Sequence, residues 1–304
     1  MGTSDCGRAA VPAQLAPLGE GLDVLLYRDD DYRADLEPHL EQVEFFVPVY
    51  MGPADNLALM ARMPRLRVCQ LLTAGYENAL PHLPPGVTLC NAAGVHDSST
   101  AELAVGLVIA SLRGIDSAAR SMQSGSWDHR TLPALADRHV MVIGAGGVGQ
   151  AIRRRLESFE VTVTMVGRSA RSGVAAIGDL PKLLPAADVV ILAVPLDPST
   201  EHLADAVFMA RMKDGALLVN VARGRVVDTD ALVAAASAGR ISAALDVTDP
   251  EPLPADNPMW RTPGILITPH VGGDSSAFVP RGRRLVEAQL ARWRGGEPLA
   301  NVVA

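Results

Sequence analysis

Val140-Met141-Val142-Ile143-Gly144-Ala145-Gly146-Gly147-Val148-Gly149 is the stretch whose reading decides the fold. Four apolar residues predict a buried strand, and Val148, Ile152, Leu156 and Phe159 then recur at helical spacing. A strand that passes through G-x-G-x-x-G into a helix is built to cradle phosphates. Gly144 allows the tight turn, Gly146 lets backbone approach a pyrophosphate, and Gly149 lets the helix pack closely on the strand. The helix N-terminus adds unpaired N–H groups and the positive end of a dipole. No Gly-Lys-Ser/Thr follows, which excludes a P-loop. Gly144, Gly146, Gly147, Val148 and Gly149 are therefore candidate contacts to a dinucleotide.

Outward from this stretch, short apolar runs alternate with helical patterns, the signature of α/β architecture with largely parallel sheets. Downstream, Val161 to Val166, Asp188 to Val194, Ala216 to Val221, Ile241 to Asp246 and Ile265 to Thr268 join Val140 to Ile143 as six predicted strands, the number in a full dinucleotide-binding sheet. Upstream, Leu22 to Tyr27, Val43 to Val49, Arg67 to Leu72 and Val87 to Asn91 predict a second sheet. Between the sets, Ser99 to Arg113 reads as a helix apolar on nearly every face, started by Ser99 and Glu102 at capping-box spacing. Ser121 to Asp137 reads as a linker or arm. After Gly273 a helical pattern returns with Leu285, Val286, Leu290 and Trp293, ended by Gly295-Gly296. Residues 1 to 19, rich in Pro, Gly and Ala, predict a mobile leader.

The chain of 304 residues is 48% hydrophobic, enough for two ordinary cores. Its 27 Lys+Arg stand against 34 Asp+Glu for a net charge of -7, the wrong sign for a general nucleic-acid binder. Lys182 and Lys213 are the only lysines, so the basic chemistry falls to arginine, whose planar fork matches carboxylates and phosphates. Cys6, Cys69 and Cys90 are too few and too far apart for a disulfide framework or a metal site. With no signal segment, and with the longest apolar run (Leu103 to Leu112) half a membrane span, the expectation is a cytoplasmic protein without membrane contact.

An acid at the end of the second strand commonly accepts from the adenosine ribose 2′-hydroxyl. Here Val161 to Val166 runs into Gly167-Arg168-Ser169, with Arg171 beyond, so a cation replaces that acid. Arg168, with Ser169 and Arg171, suits a 2′-phosphate, which predicts NADP(H) as the preferred cofactor and NAD(H) as the alternative.

Three further segments end strands of the same sheet: Val219-Asn220-Val221-Ala222-Arg223-Gly224, Leu245-Asp246-Val247-Thr248-Asp249-Pro250-Glu251-Pro252-Leu253 and Ile267-Thr268-Pro269-His270-Val271-Gly272-Gly273. With this ordered trio, the chain from about residue 65 onward closely resembles the D-isomer-specific 2-hydroxyacid dehydrogenase family. Reduction of a 2-oxo acid needs a held carboxylate, a polarised carbonyl and a proton for the forming alkoxide. Arg223 can do the first two through its fork. His270 can deliver the proton, since imidazole titrates near neutral pH. Glu251, in contact with His270, would fix the ring and keep the acid loaded.

The resemblance extends the cofactor contacts to Val221, Ala222, Asp246, Gly272 and Gly273, with Asp246 at the position that binds the nicotinamide carboxamide. It also identifies Thr73, Ala74 and Gly75 with a loop whose N–H groups meet the substrate carboxylate, together with Arg223. Departures from the pattern are Tyr76-Glu77-Asn78 after Gly75, Thr248 for an aromatic residue, and Gly147 for a long polar side chain. His39, His82, His96, His129, His139 and His202 lack any such context and are read as surface or packing residues.

The resemblance implies two Rossmann- or flavodoxin-like domains with parallel sheets. The cofactor domain, residues 96-273, would be inserted into a discontinuous substrate domain, residues 1-95 plus 274-304, with substrate in a closing cleft. It further implies a homodimer, with the arm around Trp127 a candidate contact. Glyoxylate or hydroxypyruvate reductase is the leading expectation. 3-Phosphoglycerate dehydrogenase is a second enzyme reading, and a dinucleotide-sensing corepressor is a reading from another class. Formate dehydrogenase is disfavoured, because that branch pairs its histidine with Gln where this chain has Glu251.

Overall fold

Arg8–Pro12 (RAAVP) forms the first strand, β1, with four of its five residues buried. It pairs in parallel with Val24–Tyr27 (β2) on one edge and Val43–Phe46 (β3) on the other. The expected leader is thereby corrected: its residues 8–12 form an interior strand. A strand covered on both faces needs no polar alternation, so Ala9-Ala10-Val11 beside two prolines looks like loop composition. The computed structural model describes residues 8–18 and 23–304; residues 1–7 and 19 of the expected leader, with Cys6 among them, and Leu22 of the first predicted strand lie outside the described residues.

The chain divides into two compact units, Met1–His96 with Ser276–Ala304, and Asp97–Ser275. In the first unit Val68–Gln70 (β4) and Thr88–Cys90 (β5) complete a parallel sheet of order β2-β1-β3-β4-β5. Successive side chains enter opposite layers: Ala10 and Phe46 join one core, Ala9, Val11 and Phe45 the other. The second core is closed by Phe278, Val286 and Leu290 of the Phe278–Gly295 helix, which ends where Gly296 turns left-handed. Gln289 of that helix is fully buried, and its Nε2 donates to Gln70 Oε1 at 2.7 Å. The chain end returns beside β5, where Val303 N donates to Leu89 O at 2.8 Å.

The second unit holds His139–Ile143 (β6), Thr162–Gly167 (β7), Val174–Ala176 (β8), Val189–Leu192 (β9), Ala216–Asn220 (β10), Ile241–Leu245 (β11) and Ile265–Ile267 (β12). All pair in parallel in the order β12-β11-β10-β9-β6-β7-β8. The expected six strands become seven, because β8, Val174-Ala175-Ala176, carries a single β-branched residue beside two alanines, a composition that marks no strand. Strand order reverses at β6, whose neighbours are β7 and β9; ligands of open parallel sheets sit outside the carboxyl ends at such a point.

The expected helix from Ser99 spans Asp97–Leu112 instead. Ser99 therefore lies in its first turn, not at the cap, and Glu102 is exposed, which corrects the capping box. Asp97-Ser98-Ser99-Thr100 offers four cap-type side chains in a row, so spacing alone selects the wrong one. Ala101, Ala104, Val105 and Val108 of this helix share a core with Ile152 and Leu156 of the Gly147–Leu156 helix. Among the described residues no single helix is long and apolar enough to cross a membrane.

Candidate active site

The three glycines of the loop between β6 and the Gly147–Leu156 helix do different work. Gly144 has φ +116°, and a Cβ there would overlap the Ala193 carbonyl beyond β9. A Cβ on Gly149 would overlap the Gly144 carbonyl, so the helix packs on the loop backbone itself. Gly146 meets nothing within 4 Å, which leaves the backbone at the helix N-cap open to an approaching group. Two positions closed by backbone and one open at a helix N-terminus fit a pyrophosphate. Val148 packs partly buried against the core. Gly147 is glycine for another reason: a Cβ would collide with the Asp97 carboxylate, which occupies the space a side chain would take.

At the end of β7, Arg168, Ser169 and Arg171 are exposed. Arg171 reaches back to the glycine loop, donating to Ala145 O at 3.3 Å, and its guanidinium lies over Gly167, where a Cβ would meet Nη1 at 3.2 Å. Arg168 pairs with Asp197, Nη2 to Oδ2 at 2.7 Å. That carboxylate comes from the loop after β9, since the segment that ends β7 carries no acid of its own. The Ser199 hydroxyl and amide, with Arg168 nearby, hold the Asp197 carboxyl below its usual range.

β10, β11 and β12 are neighbours, and their carboxyl ends carry Arg223, Glu251 and His270. Asn220, at the end of β10 and almost fully buried, shapes the first of these turns. Its Oδ1 accepts from Ala222 N at 3.0 Å and its Nδ2 donates to Arg223 O at 2.9 Å. The Arg223 guanidinium is half-buried and donates to Ala222 O at 2.7 Å. The side chains of Val221 and Ala222 are buried in the two core layers, so only their backbone is available to a cofactor. Gly224 lets the β10 loop lie directly on the β11 loop, since a Cβ there would overlap the Thr248 carbonyl.

Three residues beyond Thr248, Glu251 Oε1 bonds His270 Nδ1. With Nδ1 so occupied, Nε2 is the ring nitrogen available for proton transfer. His270 has a left-handed backbone, φ +53°. Asp246, buried at the end of β11, holds that turn: its carbonyl accepts from His270 N at 2.8 Å, and its carboxylate accepts from the Thr268 hydroxyl, Val271 N and Gly272 N. Gly272 is buried against Asp246 and Thr100. Gly273 follows in the same loop.

Thr73, Ala74 and Gly75 belong to the other unit, in the loop after β4. The Thr73 hydroxyl donates to Gly75 O at 2.7 Å, Asn91 Nδ2 to Ala74 O at 2.7 Å, and Ala92 N to Thr73 O at 2.9 Å. With all three carbonyls turned inward, the trans peptides direct the N–H groups of residues 74 to 76 the opposite way. Sequence reasoning missed Asn91, Asp97, Asp197 and Asn220. Asn220 was within reach, as the first residue of Asn-Val-Ala-Arg-Gly, whereas the other three act through partners distant in the chain. Among the remaining histidines, His96 is buried beside the stacked Tyr50 and Phe278 rings, with Nε2 on Leu72 O.

The sequence pattern described as "D-isomer specific 2-hydroxyacid dehydrogenase, NAD binding domain" matches residues 105–272. A glyoxylate reductase of Thermofilum pendens is 31% identical over 290 residues, covering 90% of this chain and 85% of that protein. A D-3-phosphoglycerate dehydrogenase of Methanocaldococcus jannaschii is 34% identical over 227 residues, covering 72% of this chain but 43% of its own. Among solved structures, an NADPH-dependent glyoxylate/hydroxypyruvate reductase from Sinorhizobium meliloti, in complex with NADP and sulfate, superposes with a TM-score of 0.83 at 26% identity, covering 98% of each chain.

Proposed function

Because the chain belongs to the D-isomer-specific 2-hydroxyacid dehydrogenase family, we propose that it is a reductase of glyoxylate- and hydroxypyruvate-type 2-oxo acids that prefers NADP(H) over NAD(H). The observation that carries the reading is the His270–Glu251 pair, at the carboxyl edge of the sheet that carries Arg223 and the glycine loop. On this reading Asp97–Ser275 is the cofactor domain, and the unit with Thr73, Ala74 and Gly75 is the substrate domain.

When bound, the nicotinamide cofactor supplies the hydride. Gly144, Gly146 and Gly149 give it a backbone cradle, and Arg168 and Arg171 offer guanidinium groups to a ribose phosphate. Arg223 binds the substrate carboxylate and draws electron density from the carbonyl, as a charge-assisted fork does. His270 releases its Nε2 proton to the developing alkoxide oxygen, while Glu251 retains the ring through Nδ1. In the opposite direction the same nitrogen takes the hydroxyl proton. On the substrate unit, the N–H groups of residues 74 to 76 would be donors for a substrate carboxylate.

We further read the protein as a homodimer. Trp127 is 92% exposed, and Ile115 and Met122 earlier in the same unit are exposed as well, apolar side chains that a second copy would cover. Sedimentation of a monomer at micromolar concentration would remove this part.

The enzyme reading is tested by mixing the protein with NADPH and a panel of 2-oxo acids that includes glyoxylate, hydroxypyruvate and phosphohydroxypyruvate. Turnover that is lost in His270→Ala is expected, with kcat/KM higher for NADPH than for NADH. Cofactor binding without turnover across the panel would favour a sensor instead.

A further inference from the structure

Arg168 follows β7 and Asp197 follows β9, the two strands that flank β6. The pair they form therefore spans the carboxyl end of β6, the strand that leads into the glycine loop. We propose that Asp197 is a cofactor-specificity residue: its carboxylate competes with a ribose 2′-phosphate for Arg168 and offers an acceptor to a ribose 2′-hydroxyl. The proposal rests on the reading of the β7 end as the adenosine-ribose site.

Asp197 is a fixed anion. Its Oδ1 accepts from Ser199 N at 2.7 Å and Ser199 Oγ at 2.5 Å, and its own N–H donates to Thr200 Oγ1 at 2.9 Å. Oδ2 is thereby aimed at Arg168, and withdrawing it would break the turn. Arg168 itself is 79% exposed, so a ligand can reach the guanidinium from solvent. A 2′-phosphate placed on that guanidinium carries almost two negative charges and meets the Asp197 carboxylate across a single cation. A 2′-hydroxyl meets the opposite situation, because a carboxylate with an unfilled lone pair accepts from an O–H. One residue thus penalises the phosphorylated cofactor and rewards the unphosphorylated one, narrowing a preference that Arg168 and Arg171 would otherwise set alone.

Dissociation constants for NADPH, NADH and adenosine 2′-phosphate, measured by titration calorimetry without substrate, test this on the wild type, Asp197→Asn, Asp197→Thr, Arg168→Ala and the Arg168→Ala/Asp197→Asn double variant. Asp197→Asn and Asp197→Thr are expected to tighten NADPH and adenosine 2′-phosphate by about threefold to tenfold and to weaken NADH by about twofold to threefold. In the Arg168→Ala background the gain for adenosine 2′-phosphate should shrink to less than about twofold, since the cation under competition is gone. If Arg168→Ala weakens NADPH while both Asp197 variants leave the NADPH to NADH ratio at the wild-type value, the role of Asp197 is overturned and the reading of the ribose site stands. If Arg168→Ala leaves NADPH and adenosine 2′-phosphate binding unchanged, the ribose-site reading falls and the proposal falls with it.

Discussion

Asp246 holds His270 in its left-handed turn from two sides, with its carbonyl on the His270 amide at 2.8 Å and its carboxylate on the amides of the next two residues. A non-glycine residue at positive φ costs about 1 kcal/mol or more, and it persists only where neighbours over-determine it. Here three N–H donors and the Thr268 hydroxyl converge on one buried aspartate. The reactive ring is thus placed by a rigid strand end, and Glu251 fixes its rotation.

Asp246→Asn is expected to cost more than an isosteric change suggests. An NH₂ replaces one carboxylate oxygen and must face the amide of Gly272 or of Val271, a donor against a donor. We expect a loss of about 10- to 100-fold in kcat and about 1–3 kcal/mol in stability. Steady-state kinetics beside urea unfolding measures both. A wild-type kcat in the Asn variant would show that the His270 turn is held by other means.

Removal of the His270 ring separates proton delivery from binding. His270→Ala should lower kcat by about 10²–10⁴-fold, and Glu251→Gln, which keeps a hydrogen-bonding partner for Nδ1, by about 10- to 100-fold. In both variants KM for the 2-oxo acid should change by less than about threefold, because Arg223 binds its carboxylate in the proposed mechanism. A Glu251→Gln enzyme whose defect lies entirely in KM would assign Glu251 to substrate binding instead.

The parts of the fold legible in the sequence are those announced by neighbours in the chain. β6, the glycine loop and the helix after it read as one contiguous pattern, and the segments ending β10, β11 and β12 carry their reactive residues within a few positions of an apolar run. β1 was illegible because interior parallel strands lack alternation and this one lies among prolines. β8 was illegible because Val174-Ala175-Ala176 has one β-branched residue and two alanines, a composition that marks no strand. At the site, Arg168 was visible, but its partner lies 29 residues away in a loop whose sequence says nothing of its destination. Gly147 lies in the glycine loop by sequence, but the Asp97 carboxylate that fills the space beside it comes from the Asp97–Leu112 helix, 50 residues earlier, and no local pattern announces it.

That assignment of Gly147 separates two superficially similar substitutions. A Cβ on Gly147 meets the end of one aspartate side chain, which can rotate aside, whereas a Cβ on Gly149 meets the Gly144 carbonyl, which cannot move without dismantling the loop. Gly147→Ala should change stability by less than about 1 kcal/mol, and Gly149→Ala should cost more than about 3 kcal/mol together with measurable NADPH binding. Equal effects of the two would mean that Asp97 is as rigidly fixed as the backbone.

Acid should erode the second unit through Asp188, which ties three strands together just before β9. Its carboxylate accepts from His139 N at 2.9 Å, Arg138 Nη1 at 3.2 Å and Lys213 Nζ at 2.7 Å. Burial pushes this carboxyl up, but the hydrogen bonds from Lys213, His139 and Arg138 and the Lys213 charge outweigh it and hold it below the ordinary 3.8. A carboxyl depressed in the folded state stabilises the fold above its ordinary value, and that contribution is lost as pH falls through the folded value. Asp188→Asn should therefore be less stable than wild type by about 1 kcal/mol at pH 7 and by the same amount at pH 5, and the gap should close below about pH 3.8. Urea unfolding of both proteins at pH 7, 5 and 3 reads the difference. A gap that widens toward acid would mean that the native state binds protons at Asp188 more readily than the unfolded chain does, the reverse of what its three donors imply.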